Sequence, residues 1–323
     1  MDFKDLKGFE EDLKRVNEHI ARLCSTSNEN MQKMLDWVLG ARGKQIRPIL
    51  TLLCSRLSGK KVDATEMAAV IEICHTASLI HDDIIDDADM RRGQLSVRKK
   101  FSNEMAVYCG DFMIFSAIGR TNLTNKPWYK DMFGKLEIMC NGELGQFDSR
   151  YNTSITEEEY IANIIGKTSA MFEIACGAGA YEGKCSGKER EAVNQFARNF
   201  GVMFQLSDDV MDFISDEEKS KKSVHEDFWS GYYTMPAIKA FQNEEYGPKL
   251  KEIAHALRNG SKDDDFDAEI NNIISISGGI EYTKDLVTEY GNKAKNALEI
   301  FKSSNEKRKL FEIVDYVGER VAL

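Results

Sequence analysis

Apolar residues return every three or four positions along most of this chain. Phe3, Leu6, Phe9, Leu13, Val16, Ile20 and Leu23 set the rhythm at the outset. That spacing marks an amphipathic helix, because a strand repeats every two residues. It predicts helices over 3–24, up to 39, and over 46–57 and 64–88. Further helices follow over 104–120, 130–148, 156–165, 168–181, 187–214, 234–243, 246–258, 265–276, 279–302 and 305–320. Polar punctuation separates them at 25–30, 58–63, 121–127, 149–156, 182–187 and 259–265. Pro48 falls in the first turn of its helix, where a missing N–H costs nothing. The charged run 215–230 reads as a loop over the site. Neither a sequence repeat nor a composition shift marks a boundary, so a single domain over residues 1–323 is expected.

Composition sharpens the fold class. Proline occurs only 4 times in 323 residues, and strand-rich folds recruit proline at their many turns, so the expectation is all-α. Apolar residues make up 42%, enough for a sizeable core. A net charge of −10 disfavours nucleic acid and acidic membrane surfaces as partners. The 7 cysteines are scattered, without C-x-x-C spacing, and most have apolar neighbours. They read as reduced core residues of a cytoplasmic protein. The charged N-terminal stretch carries no signal-peptide pattern. No apolar run reaches the roughly 18 residues of a transmembrane segment.

One stretch departs from ordinary amphipathicity. Residues 71–93 begin as an apolar helix and turn abruptly acidic, with Asp82, Asp83, Asp86, Asp87 and Asp89, then Arg91-Arg92-Gly93. Asp82 and Asp86 are four apart and share a helix face. Carboxylates held that close repel unless a cation intervenes, and a hard, oxygen-seeking ion suits them. A lone D-D-x-x-D is usually a solvated face. Here the spacing recurs at Asp208-Asp209-Val210-Met211-Asp212, again behind an apolar run. Gly43-Lys44-Gln45-Ile46-Arg47-Pro48 adds two cations at a helix start, where backbone N–H groups favour an anion. His75 lies one to two turns ahead of Asp82 and by default would be a satisfied core histidine.

Taken together, G-K-x-x-R-P, His75 and H-D-D-x-x-D-x-x-x-x-R-R-G resemble the trans-polyprenyl diphosphate synthases. Gly110-Asp111, Gly142-Glu143-x-x-Gln146, Gly166-Lys167-Thr168 and the run Gly201 to Asp212 agree, in order and spacing, across about 43–236. The resemblance implies the isoprenoid synthase fold, a single-domain bundle of about ten or more long helices around a central apolar cavity. It implies a head-to-tail condensation of isopentenyl diphosphate with an allylic diphosphate, and a homodimer. Metal ligands would be Asp82, Asp83, Asp86, Asp208 and Asp212, holding Mg2+ (about three ions per site). Arg91, Lys167, Gln205 and Lys222 match positions that bind the allylic diphosphate. Lys44, Arg47, His75 and Arg92 match those that bind isopentenyl diphosphate. Lys167, Thr168 and Gln205 would steady the allylic cation.

Departing from the family's G-K-x-T-x-P, the segment here is Gly231-Tyr232-Tyr233-Thr234-Met235-Pro236. A phenol brings no charge, so weaker allylic binding or a changed preference is expected; His225 also stands where the family tends to have glycine. Ala77 and Ser78, one turn before Asp82, are small where short-chain members place an aromatic. A product beyond about C20, roughly C30–C45, is expected if they line an apolar tunnel. A short-chain geranylgeranyl or farnesyl diphosphate synthase is the alternative, with a bulky residue such as Ile73, Phe112 or Phe115 closing the tunnel. Terpene cyclases share a first D-D-x-x-D, but Asp208–Asp212 and the Lys44/Arg47 pair argue against one. A non-catalytic regulatory subunit would tend to lose the acidic motifs, and both are intact.

Overall fold

The computed structural model describes residues 8–41, 43–214, 226–261, 263 and 265–322. Lys222, His225 and most of the charged run 215–230 lie outside the described residues. Helices dominate, as the three-and-four spacing and the scarcity of proline require. The chain forms two compact units, each assembled from three stretches. The first takes Met1–Phe133, Ile174–Val193 and Phe301–Leu310; the second takes Gly134–Glu173, Asn194–Ile300 and Phe311–Leu323.

The first unit opens with α1 (Glu10–Leu23), α2 (Glu29–Gly40), α3 (Ile46–Arg56) and α4 (Thr65–Ile85). After them come a hairpin of β1 (Met90–Arg91) and β2 (Gln94–Leu95), then α5 (Val97–Lys100) and α6 (Asn103–Gly119). Helix α4 is apolar on nearly every side, so it must be enclosed. It packs against α1, α3 and α6, and Ala68, Ala69, Val70, Ile71 and Ile73 are buried.

Helix α4 ends at Ile85, three residues short of the expected 88. Asp87 adopts a left-handed conformation, φ 53°, which aspartate tolerates better than most residues. The amide of Ala88 then reaches the Asp83 carbonyl at 2.9 Å, and the Asp87 amide reaches that of Ile84 at 3.4 Å. This Schellman pattern satisfies the last carbonyls and halts the helix. The hairpin was not expected from the sequence. Its two-residue loop, Arg92-Gly93, has φ of 52° and 80°, both positive as a type I′ turn demands. Trp37 donates its indole N–H to the Leu95 carbonyl, and Gln94 donates to the Trp37 carbonyl, each at 3.0 Å. The hairpin is thereby pinned to α2.

Helix α7 (Tyr129–Asp148) leads into the second unit, where α8 (Glu157–Ile164) starts with a capping box between Thr156 and Glu159. A π-helical turn, Ile165–Ser169, joins α8 to α9 (Ala170–Glu182). Helix α10 (Gly187–Ile214) has the bounds its periodicity predicts. Then follow α11 (Glu226–Trp229), α12 (Met235–Phe241), α13 (Gly247–Arg258), α14 (Phe266–Ile276), α15 (Gly279–Ala297) and α16 (Asn305–Glu319). Phe172 meets Phe200 edge-on at 5.1 Å and Phe196 stacks on Phe200 at 5.8 Å, forming an aromatic core under α10. All seven cysteines are free thiols; Cys24, Cys54, Cys109, Cys176 and Cys185 are buried, while Cys140 is exposed.

Candidate active site

In the first unit the aspartate run at the end of α4 separates into distinct environments. Asp83 is buried and takes a hydrogen bond from Arg91 Nε at 2.7 Å. Burial pushes its carboxyl up, and the Arg91 hydrogen bond and charge only partly offset this. Asp87 and Asp89 both pair with Arg98, and Lys99 adds a 2.8 Å bridge to Asp89. Asp82 is half-buried and Asp86 exposed; the Asp86 amide bonds the Asp82 carbonyl at 2.8 Å, so the two stay one turn apart. These carboxylates sit at the C-terminal, negative pole of α4, whose last turn carries no basic residue. Negative charge there is destabilising by about 0.3–1 kcal/mol each. The acidic run recurs on α10 in the second unit, and oxygen ligands of this kind suit a hard cation.

Lys44, Arg47, His75 and Arg92 also fall in the first unit. Lys44 is exposed just before Gln45, the N-cap of α3. Arg47 Nη1 lies 3.0 Å from His75 Nε2. A guanidinium can only donate, so that ring nitrogen is the unprotonated acceptor. Burial, then the charges of Arg47, Arg92 and Arg91, hold the imidazole well below its ordinary 6.5. Arg92 donates to the Ala41 carbonyl at 3.3 Å and stands 3.9 Å from the buried carboxylate of Glu72. Burial raises Glu72, and Arg47 and Arg92 pull it back. A cavity of about 310 Å³ opens beside this cluster, lined by Asn17, Gln45, Glu72, Thr76, Arg92 and Met113 among others.

The His75 environment has a pH consequence. Its folded pKa is depressed, so only the unfolded chain takes up the proton near 6.5. That stability is present above about pH 6.5 and declines as pH falls, by up to about 1.4 kcal/mol per pH unit. His75→Gln is expected to flatten this acid slope. Urea midpoints of the two proteins at about pH 7 and 5.5 measure it; equal slopes would refute the assignment.

In the second unit three helices meet through glycines. A Cβ on Gly142 of α7 would lie 2.6 Å from the Lys167 amide nitrogen and 2.8 Å from Gly166 Cα. A Cβ on Gly201 of α10 would lie 2.5 Å from Ser169 Cα. The π turn is therefore held backbone-close between α7 and α10, and such turns gather at functional sites. Lys167 Nζ donates to Gln146 Oε1 at 2.7 Å and meets Glu143 Oε2 at 3.1 Å. Thr168 Oγ1 donates to Gln205 Oε1 at 2.9 Å, and Gln205 Nε2 donates to Asp209 Oδ1 at 3.1 Å. Thr168 thus meets Gln205, on the same helix as Asp208 and Asp212, while Lys167 turns to α7; α10 again has no basic residue in its last turn.

Some participants were not legible in the sequence. Arg320 Nη2 donates to Asp208 Oδ1 at 2.7 Å from a position 112 residues away, and no motif announces it. Tyr160 Oη donates to Asp209 Oδ2 at 2.6 Å. Burial raises Asp209 to about 7, against the lowering effect of the Tyr160 and Gln205 hydrogen bonds. Beside Tyr232 the Arg150 guanidinium lies 5.4 Å from the ring centre, so a cation is present where the sequence alone shows none. Ala77 is fully buried, and the Ser78 hydroxyl donates to the His75 carbonyl at 2.9 Å. Among the described residues no group of three or more His, Cys, Asp or Glu is gathered for a metal ion. Each acidic helix end offers two carboxylates four residues apart. Such a partial oxygen set suits Mg2+, which keeps waters and shares substrate phosphates.

Residues 28–273 match the family described as "Polyprenyl synthetase". The all-trans-nonaprenyl-diphosphate synthase (geranyl-diphosphate specific) of Rhodobacter capsulatus is 32% identical, over 99% of each chain. The short chain isoprenyl diphosphate synthase of Methanothermobacter thermautotrophicus is 33% identical, over 95% of this chain and 94% of its own. The crystal structure of a polyprenyl synthase from Caulobacter crescentus CB15, complexed with calcium and isoprenyl diphosphate, superposes with a TM-score of 0.88. It is 27% identical and covers 96% of this chain and 95% of its own.

Proposed function

The chain belongs to the polyprenyl synthetase family, and from that premise we propose that it joins isopentenyl diphosphate head-to-tail to an allylic diphosphate. The observation that carries this reading is the doubled acidic helix end, at α4 and at α10, placed where the helix dipole disfavours it. Asp82, Asp86, Asp208 and Asp212 would hold Mg2+, which when bound neutralises the departing diphosphate. The calcium and isoprenyl diphosphate of the Caulobacter protein support this ligand class.

The chain's own residues divide the rest of the work. Lys44, Arg47 and Arg92 bind the diphosphate of isopentenyl diphosphate, with neutral His75 orienting Arg47 through their 3.0 Å contact. Arg91, anchored on Asp83, keeps further N–H donors for the allylic diphosphate. Lys167 and Gln205, which match allylic positions of the family, would bind the same diphosphate; the matching Lys222 lies outside the described residues. As the allylic C–O bond breaks, Thr168, oriented by Gln205, presents its hydroxyl oxygen to the cation and water is kept out until the homoallylic double bond attacks. The departing diphosphate takes the proton that is then lost.

The test is direct. The purified chain is incubated with isopentenyl diphosphate, Mg2+ and each primer from C5 to C20, and products are read by mass spectrometry. Elongation with Mg2+ and none with a chelator is expected; no product from any primer sinks the proposal. The names of the relatives span short and nonaprenyl products. The reading of a product beyond about C20 therefore rests on the small side chains at 77 and 78. Ser78→Phe is expected to shorten it by at least one five-carbon unit, and unchanged length removes the reading. Ala77→Phe is the poorer probe, because filling a fully buried position costs about 1–3 kcal/mol.

We propose further that the chain works as a homodimer, as the family resemblance implies. Met105, Tyr108 and Phe115 form an exposed apolar stripe on α6 at helical spacing, with Tyr108 64% and Phe115 67% exposed, the kind of surface a partner covers. Light scattering on the purified chain checks the mass. A cytoplasmic location is proposed because scattered, unpaired cysteines suit a reducing compartment. Among the described residues no helix is long and apolar enough to cross a membrane.

A further inference from the structure

Asp209 stands between Asp208 and Asp212 yet behaves unlike either. It is 2% exposed, and both of its oxygens are engaged inside the second unit, by Tyr160 Oη at 2.6 Å and by Gln205 Nε2 at 3.1 Å. Tyr160 is itself buried, so its hydroxyl needs that acceptor. The chain continues from Gln205 Oε1 to Thr168 Oγ1 at 2.9 Å. Polarity runs one way along it. Both Asp209 oxygens accept, Oδ2 from Tyr160 and Oδ1 from Gln205 Nε2, so the nitrogen end of the Gln205 amide faces Asp209. Its oxygen end is then committed to Thr168, whose single O–H must point at the amide. The Thr168 lone pairs are left facing away from the amide.

We infer that Tyr160 and Asp209 are positioning residues, which fix the Gln205 amide and so turn the Thr168 hydroxyl lone pairs toward positive charge on the substrate. This rests on the proposed prenyl transfer, in which that charge is an allylic cation. Were the amide reversed, its NH2 group would donate to Thr168, and the hydroxyl proton rather than a lone pair would be released toward the cation. The buried tyrosine and carboxylate prevent that reversal. Asp209 thus acts through Gln205 and Thr168, without touching substrate.

The experiment is a double-variant cycle in the full chain with Mg2+, isopentenyl diphosphate and an allylic primer. Tyr160→Phe keeps the ring and removes one donor; Thr168→Val removes the terminal hydroxyl at nearly constant shape. Each is expected to lower kcat about 10- to 100-fold with KM for both substrates within about twofold, because misplacing one group costs rate more than binding. The double variant should be no slower than Thr168→Val alone, since both changes break one chain. Thr168→Ser, which keeps the hydroxyl, should recover much of the rate that Thr168→Val loses. A purely structural tyrosine would lower the melting temperature and leave kcat unchanged, or give effects that multiply; either result overturns the positioning role. If Tyr160→Phe does not fold, Asp209→Asn replaces it in the same cycle. A wild-type chain without product defeats the reaction and this role together, whereas an active wild type with multiplying effects defeats only the role.

Discussion

Asp86→Asn is expected to lose most turnover while leaving the folded protein slightly more stable. Asp86 caps the C-terminus of α4, exposed, one turn beyond Asp82. Its charge lies at the negative pole of the helix and raises the neighbouring Asp83 carboxyl further. Asparagine keeps the shape and removes the charge, so stability should rise by about 0.3–1 kcal/mol. Losing one carboxylate from the proposed metal set should lower kcat by about 10²–10³-fold. Urea unfolding and steady-state rates on the same preparation measure both. The opposite signs are the point: a residue kept for structure would lose stability, and a solvated bystander would gain it while keeping its rate. Adding Mg2+ with inorganic diphosphate should raise the melting temperature of the unmodified protein more than that of the variant.

Gly142→Ala is expected to damage stability and rate together. The new methyl would stand 2.6 Å from the Lys167 nitrogen and 2.7 Å from the Gly166 carbonyl carbon. Those are backbone atoms, so no rotamer change relieves the overlap. α7 and the π turn must part, at a cost of about 1–3 kcal/mol. Parting them moves Lys167 away from Gln146 and disturbs Thr168, and a displacement of that size costs rate by about 10²-fold. Gly134→Ala in the same helix is the control. Its Cβ meets nothing within 4 Å, and an alanine in a helix interior is favoured over glycine by about 0.5–1 kcal/mol. Opposite shifts in the denaturation midpoints of the two variants are the expected result; equal shifts would mean that the close crossing carries no weight.

Much of the helical framework is written locally. The period of apolar residues and the near-absence of proline set the helices, and α10 runs over Gly187–Ile214 as its pattern predicts. The motifs that carry family membership are likewise contiguous strings: the two aspartate clusters, Gly43 to Pro48, and Gly166-Lys167-Thr168. In each the relevant spacing is a few residues, and helix geometry converts it directly into a shared face. The sequence was less informative where a helix stops on an unusual backbone state. Asp87 in the left-handed region and the Arg92-Gly93 turn end α4 early and build a hairpin that period counting does not contain.

What each aspartate does was decided by partners far along the chain. Asp83 turns inward because Arg91 returns through the hairpin to meet it. Asp209 is withdrawn from its neighbours by Tyr160, 49 residues earlier, and Asp208 meets Arg320, 112 residues later. In the linear string these aspartates are the same residue repeated. Local spacing specifies which way a side chain leaves its helix; only the packing of distant segments supplies the donor it finds there and the water it loses, and for a carboxylate those two quantities set its charge and its role.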